Sequence, residues 1–320
     1  MVLYIIFIII GFFLLIKGAD FLVDGASGIA KKFKIPTIII GLTIVAIGTS
    51  MPELMVSTTA ALGGHSDMSI GNVVGSNIAN LFLILGICSM IKPLKFQTET
   101  EKIENFFTIF ATVLLAFFGN NMANNIITRV EGIVLLVCCV LFILYNIFMA
   151  KKRRADTLVE FQEPETKEQK VIKSLLSIVL GIIALKFGGD IVVKYASKIA
   201  EIMGLSEKII SVTVIAFSTS LPELITSINA TIKGETDMAI GNILGSQLFN
   251  ILLIIGTSAL LCPINYSFAY NLDMCFLIVG TILFALFPFI GKKHYMTRSN
   301  GSIFVVIYAI YLTYSIIKAI

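Results

Sequence analysis

Apolar stretches of about 20 residues recur along the whole chain, separated by short polar interruptions. They predict ten spans, roughly 2–24, 37–62, 69–91, 103–120, 127–149, 171–197, 207–232, 239–261, 270–290 and 302–319. About 20 apolar residues in a helix cross the ~30 Å hydrocarbon core of a bilayer. A membrane strand needs only about ten, with side chains alternating between lipid and lumen, so these runs read as helices and not as barrel strands. The most polar stretch runs from Lys151-Lys152-Arg153-Arg154 to Lys173, with Glu163-Pro164-Glu165 in its middle. It divides the chain into 1–150 and 171–320, five spans each, joined by a linker at 151–170 too short to fold as a domain.

The two halves resemble each other. Residues 36–86 and 206–256, aligned without a gap, share 23 of 51 identities. Ile47-Gly48-Thr49-Ser50-Met51-Pro52-Glu53-Leu54 returns as Phe217-Ser218-Thr219-Ser220-Leu221-Pro222-Glu223-Leu224, 170 residues on. The same offset carries Gly71-Asn72-Val73-Val74-Gly75-Ser76-Asn77-Ile78-Ala79-Asn80 onto Gly241-Asn242-Ile243-Leu244-Gly245-Ser246-Gln247-Leu248-Phe249-Asn250. Five is odd, so each half must cross the membrane in the opposite sense to the other. The expected fold class is therefore an all-α integral membrane protein of ten transmembrane helices in two inverted five-helix repeats. Lysines and arginines concentrate at 31–34, 92–102, 151–173, 233 and 292–298, which orients the chain N-out and C-out with the linker inside. The first span could pass for a signal peptide with Gly25-Ala26-Ser27 as its cleavage site. It is assigned to the repeat instead, because Lys17-Gly18-Ala19-Asp20 has a counterpart around Lys186 to Asp190.

Composition agrees with a membrane location. The chain has 320 residues, is 57% hydrophobic, and carries 14% charged residues against roughly 25% in soluble domains. Its mean hydropathy is +0.95. The net charge of +4 lies in short loops, so no nucleic-acid partner is expected; the expected surroundings are the lipid bilayer of a cell (inner) membrane. Five cysteines lie in or near apolar segments without paired spacing and read as small core residues. His65 and His294 have no neighbouring ligand residues in sequence.

The candidate chemistry lies in the repeated segments. Thr49, Ser50 and Glu53 are spaced three and four apart and share one helix face, as do Thr219, Ser220 and Glu223. Pro52 and Pro222 lack an N–H and interrupt their helices, which would turn backbone oxygens, including those of Ala46 and Ala216, toward a cavity. Asn72, Ser76 and Asn80 align along the next span, and Asn242, Ser246 and Asn250 repeat them. A carboxylate buried in a membrane span is expensive and marks function. Two of them, ringed by hydroxyl and carbonyl oxygens, suit Ca²⁺, which takes 6–8 oxygen ligands. A serine or Gly-xxx-Gly pair in isolation would more often serve helix packing. Asp20 and Asp190, close to Lys17 and Lys186, read as ion pairs more readily than as ligands. Asp67 and Asp237 suit helix starts.

These motifs resemble the cation/Ca²⁺ exchanger superfamily, and within it the prokaryotic Na⁺/Ca²⁺ exchangers. The likeness spans essentially the whole chain. It implies that Glu53 and Glu223 are central ligands for Ca²⁺ and, in alternate states, Na⁺. Thr49 and Thr219 would add backbone oxygens. Ser50, Ser220, Ser76 and Ser246, with the carbonyls of Ala46 and Ala216, would complete flanking Na⁺ sites, and Asn80 and Asn250 the central layer. Spans 1 and 6 would slide across the rest. Two positions depart from the family pattern: Ser218 stands where glycine is usual, and Asn250 where aspartate is frequent, which argues against K⁺ dependence.

The resemblance implies antiport of Na⁺ against Ca²⁺ by alternating access, with both ions as transported ligands and no organic cofactor. An H⁺/Ca²⁺ exchanger using the same two glutamates is the alternative. A channel would usually draw its acidic ring from several subunits, whereas one chain here supplies both halves, in keeping with a monomer. No nucleophile–base pair, His-Glu-x-x-His or phosphate loop is present, so the chain does not read as an enzyme.

Overall fold

The computed structural model describes residues 1–96, 98–121, 125–160, 171–204, 219–287 and 294–319. Among the described residues the fold is built mainly of helices. Helices α1 (Val2–Phe33), α2 (Thr37–Thr49), α3 (Met51–Leu62), α4 (Met68–Ile91), α5 (Thr98–Gly119) and α6 (Arg129–Glu160) are followed by α7 (Val171–Ile202), α8 (Leu221–Ile232), α9 (Thr236–Leu261), α10 (Asn271–Leu286) and α11 (Arg298–Ala319). Among the described residues, seven helices are long and apolar enough to span a membrane, or eight when the bent pair α2–α3 is one span. The fourth expected span is represented by a shorter apolar helix, Ile103–Gly119. The seventh, 207–232, begins outside the described residues.

The expected linker at 151–170 begins later than its polarity suggests. Helix α6 continues through it to Glu160. Lysine, arginine, alanine and glutamate are good helix formers, and no proline or glycine interrupts the run before Pro164. Polarity marks where a helix leaves the apolar layer, not where it ends.

Two helices form the centre. The apolar window of α9 is 94% buried and that of α4 72%, whereas α11 is 11% buried and turns its apolar residues outward to lipid. Gly241 and Gly245 on α9 let α2 approach closely: a Cβ on Gly245 would lie 2.7 Å from the Leu42 carbonyl oxygen. Two antiparallel ribbons of two residues each tie the halves together. Leu94–Lys95 (β1) pairs with Tyr295–Met296 (β4), and Ile126–Ile127 (β2) with Ile264–Asn265 (β3). Beside each, an arginine caps a helix end from the other half: Arg298 Nη2 donates to the Ile91 carbonyl at 3.3 Å and Arg129 Nη2 to that of Leu261 at 3.5 Å. A guanidinium at a helix C-terminus also meets the negative end of the dipole.

Helices α1 and α7 pack against each other along most of their length. Each has 32 residues, about 48 Å at 1.5 Å per residue. That exceeds the apolar core thickness and requires tilt or protrusion. Their seam is made of small residues seven apart: Gly11 meets Gly188, Gly18 meets Gly181, and Gly25 meets Ser174, so the two run antiparallel. Without a hydrophobic drive between helices in lipid, such close backbone approach supplies the dispersion contact. At one end Tyr195 stacks on Phe7 at 4.4 Å. Part way along, Lys233, which follows α8, bridges Asp20 at 3.1 Å and Asp24 at 2.7 Å, and Asn229 donates to Asp20 at 2.9 Å.

A Cβ at Gly181 would sit 2.7 Å from the Leu22 backbone nitrogen. Gly181→Leu is therefore expected to lower Tm in detergent, with an overpacking cost of about 1–3 kcal/mol. Gly189→Ala, where an added Cβ meets nothing within 4 Å, should leave Tm nearly unchanged. Equal losses in the two variants would show that the seam is not the source.

Candidate cation site

The site begins with a break in a helix. Helices α2 and α3 meet at 47° across Ser50, whose φ/ψ of −84°/7° leaves the helical region. Pro52 stands in the first turn of α3, where its missing N–H costs nothing. Ser220 repeats the conformation at −83°/1° ahead of α8, with Pro222 in the first turn. Helices α3 and α8 both start inside the bundle, and Glu53 and Glu223 fall in their first turns. A helix N-terminus carries partial positive charge and favours a carboxylate there.

Helices α2, α4 and α9 contain wider π-helical turns at Gly41–Val45, Ala79–Ile84 and Asn250–Ile255 respectively. The last two hold Asn80 and Asn250. Such turns are rare and are frequent at functional sites.

Both glutamates are fully buried, with hydroxyl groups from both halves around them. Ser76 donates to Glu53 Oε1 at 3.4 Å, and Ser50 to Glu223 Oε1 at 3.0 Å. Ser76 and Thr219 hydroxyls lie 3.3 Å apart, and those of Thr49 and Ser246 3.4 Å. Thr49 Oγ1 donates to Asn242 Oδ1 at 3.1 Å, and Thr219 Oγ1 to Asn72 Oδ1 at 3.3 Å. These asparagines are held in turn: Asn72 Nδ2 donates to Ser57 Oγ and Asn242 Nδ2 to Ser227 Oγ, both at 2.9 Å. Threonine from one half thus meets asparagine from the other, twice, at matching positions.

The structure therefore buries Glu53, Glu223, Thr49, Thr219, Ser50, Ser76 and Ser246, with Ser76 between Glu53 and Thr219, Ser50 on Glu223, and Thr49 beside Ser246. Ser220 is buried beside Glu223, and its Oγ has no hydrogen-bond partner among the described residues. Asn80 and Asn250 are buried. Ala46 is buried, with its carbonyl accepting the Ser50 N–H at 3.0 Å. Ala216 and Ser218 lie outside the described residues. Asp20 and Asp190 stay away from these residues, paired with Lys17 at 3.3 Å and Lys186 at 3.7 Å.

Ser57 and Ser227 escaped the sequence reading. The available signal was their identity at the 170-residue offset, one helical turn after each glutamate. Their partners could not be read from it, because the Asn–Ser contacts join separate helices.

Several carbonyl-type oxygens are left over among the described residues, four of them on the predicted ligands. Glu53 Oε2, Glu223 Oε2, Asn80 Oδ1 and Asn250 Oδ1 are buried without a hydrogen-bond partner among the described residues. An unpaired buried acceptor is costly, and an unpaired carboxylate more so. A cation is one partner that can satisfy buried acceptors of this kind. Among the described residues no group of three or more His, Cys, Asp or Glu could hold a metal; the donors available beyond the two carboxylates are neutral oxygens. That set suits hard cations such as Ca²⁺ and Na⁺ better than softer transition metals.

Apolar helices facing lipid around a buried polar centre make this a multi-span membrane protein. Residues 3–149 and 173–317 match the model of the sodium/calcium exchanger protein family, and the chain belongs to that family. It is 34% identical to the inner membrane protein YrbG of Escherichia coli over 87% of this chain and 86% of that protein. It is 30% identical to the sodium/calcium exchanger MaX1 of Methanosarcina acetivorans over 95% of this chain and 96% of that one. The solved sodium/calcium exchanger from Methanococcus jannaschii superposes with a TM-score of 0.82 at 28% identity, covering 98% of each chain.

Ca²⁺ is expected to raise the Tm of the purified protein, by up to about 2.7 kcal/mol of stabilisation at a hundredfold excess over Kd. Glu223→Gln should lose most of that shift. Its own Tm without Ca²⁺ should be equal or higher, because one of two buried negative charges is gone. A full Ca²⁺ shift in the variant would place the cation elsewhere.

Proposed function

We propose that this chain is a secondary antiporter that exchanges Na⁺ for Ca²⁺ by alternating access. The observation that carries the proposal is the pair of fully buried glutamates in the first turns of two helices, each accepting from a serine hydroxyl and each with one oxygen unpartnered among the described residues. Glu53 and Glu223 are the central ligands of Ca²⁺. Backbone oxygens of Thr49 and Thr219 join them, since the threonine hydroxyls are engaged with Asn242 and Asn72. Ser50, Ser220, Ser76, Ser246 and the carbonyls of Ala46 and Ala216 form flanking Na⁺ positions, with Asn80 and Asn250 in the central layer. MaX1 is described as a sodium/calcium exchanger, and the M. jannaschii exchanger was studied in Na⁺, Ca²⁺ and Sr²⁺; both support the reading.

The architecture that goes with it is two inverted five-helix repeats, 1–150 and 171–320, ten spans in all, N-out and C-out, working as a monomer in the inner membrane. The pairing of matched residues across the halves supports this plan. Coupling follows from the cost of charge. The empty site holds two bare carboxylates, and moving them through a low-dielectric barrier is prohibitive. One Ca²⁺ or two Na⁺ balances them and permits the change of access. Protons could neutralise carboxylates too, but they need no shell of neutral oxygens.

The test is ⁴⁵Ca²⁺ uptake into proteoliposomes loaded with Na⁺ and diluted into choline or K⁺ buffer. Uptake is expected only with the outward Na⁺ gradient, falling at least about a hundredfold in Glu53→Gln, as for an essential charge-stabilising ligand. Uptake driven by a pH gradient without Na⁺ would assign H⁺/Ca²⁺ exchange instead.

A further inference from the structure

Asn250 presents a buried amide oxygen without a partner, and the geometry points to Asn77 as the positioning residue that aims it. This inference rests on the cation-site reading above. Asn77 and Asn250 are both fully buried. Asn250 Nδ2 donates to Asn77 Oδ1 at 2.9 Å, and Asn77 Nδ2 donates to the backbone carbonyl of Gln247 at 3.3 Å. An amide side chain can be turned about its terminal bond, exchanging oxygen for nitrogen. Here that freedom is removed in sequence. The Gln247 carbonyl can only accept, so Asn77 must turn its NH₂ toward it. Asn77 Oδ1 then faces Asn250 and can only accept, so Asn250 must turn its NH₂ toward Asn77. The Asn250 oxygen is left pointing away from both, and it is the atom without a hydrogen bond.

The chain begins at an immovable group. The Gln247 carbonyl also accepts the backbone N–H of Asn250 at the entry to the π-helical stretch, so it is fixed by the helix itself. The Gln247 side chain does not compete, because its Nε2 is bound to Thr281 Oγ1 at 3.1 Å. A reversed Asn77 would set oxygen against oxygen at Gln247 and nitrogen against nitrogen at Asn250. The relay thus converts one backbone carbonyl, through two side-chain amides, into a cation-facing oxygen in the central layer. Without it the Asn250 amide is free to offer its NH₂ to the site, where a cation would be repelled.

Cation binding by the purified full-length protein tests this, read as the Na⁺ or Ca²⁺ concentration that gives half of the Tm shift. Asn77→Leu removes the acceptor at similar volume and should raise that concentration about tenfold, the scale of one lost buried hydrogen bond. Asn250→Ala should raise it similarly, and the double variant no further than the worse single one. Asn77→Ser, which retains a hydroxyl acceptor and disturbs packing less, should give a smaller shift in the same direction; it runs through the same cycle if Asn77→Leu does not fold. Additive effects in the double variant, or an unchanged half-saturation with only a lower starting Tm, would reduce Asn77 to a packing residue and overturn the inference. Because this measures binding and not flux, a wild type that binds both cations but shows no Na⁺-driven Ca²⁺ uptake would sink the antiport reading alone.

Discussion

Two carboxylates held in the middle of an apolar helical bundle constrain everything else in this protein. Each would cost several kcal/mol to bury alone, and two together repel. The bundle offsets this with local features. The N-termini of α3 and α8 present their positive ends to Glu53 and Glu223. Hydroxyls of Ser76 and Ser50 donate to one oxygen of each. Serine and asparagine pairs hold the surrounding amides in place. The remaining oxygens, Glu53 Oε2 and Glu223 Oε2, have no hydrogen-bond partner among the described residues, and on the proposed reading a cation takes that place. A site fully satisfied by its own hydrogen bonds would bind none.

Around this centre the packing divides into two kinds. The inner helices α4 and α9 are locked by polar contacts and close glycine approaches. The outer pair α1–α7 is joined to itself by a seam of glycines and shows lipid a broad apolar face. Its polar tie to the inner helices is lopsided. On one side Lys233 clasps Asp20 and Asp24, and Ser27 donates to Glu235 at 3.2 Å. The position 170 residues before Lys233 is Gly63, which cannot form such a bridge, and Asp190 is exposed with Lys186 as its neighbour. The halves are alike at the centre and different at the ends, as suits a carrier whose ion site must serve both faces while its two ends need not be equally stable.

Much of this was legible in the residues. The apolar runs announced membrane helices because nothing else can satisfy a backbone in lipid. The recurrence of Thr-Ser-x-Pro-Glu announced the two glutamates and the break at Ser50, since a proline at that spacing cannot continue an α-helix. The ion-pair reading of Asp20 held, although its pairing with Lys233 did not show, because the two lie 213 residues apart. The π-helical turns were invisible: they leave no composition signal. The extension of α6 through Lys151 and Lys152 was hidden by polarity, which reports the surrounding medium more faithfully than it reports backbone conformation.

By itself the sequence determined the medium, a helical multi-span membrane protein, and the duplicated polar segments. These follow from composition, period and local steric rules, all of which act within a few residues of each position. Only the tertiary structure decided which hydroxyl meets which carboxylate, that threonines cross to the asparagines of the opposite half, and that Asn77 stands between Gln247 and Asn250. Apart from Ser76–Glu53, 23 positions apart, those contacts join residues 147 or more positions apart. In lipid, where apolar surface gains nothing by choosing one apolar partner over another, it is the close fit of glycine faces and the pairing of buried polar groups that fixes them.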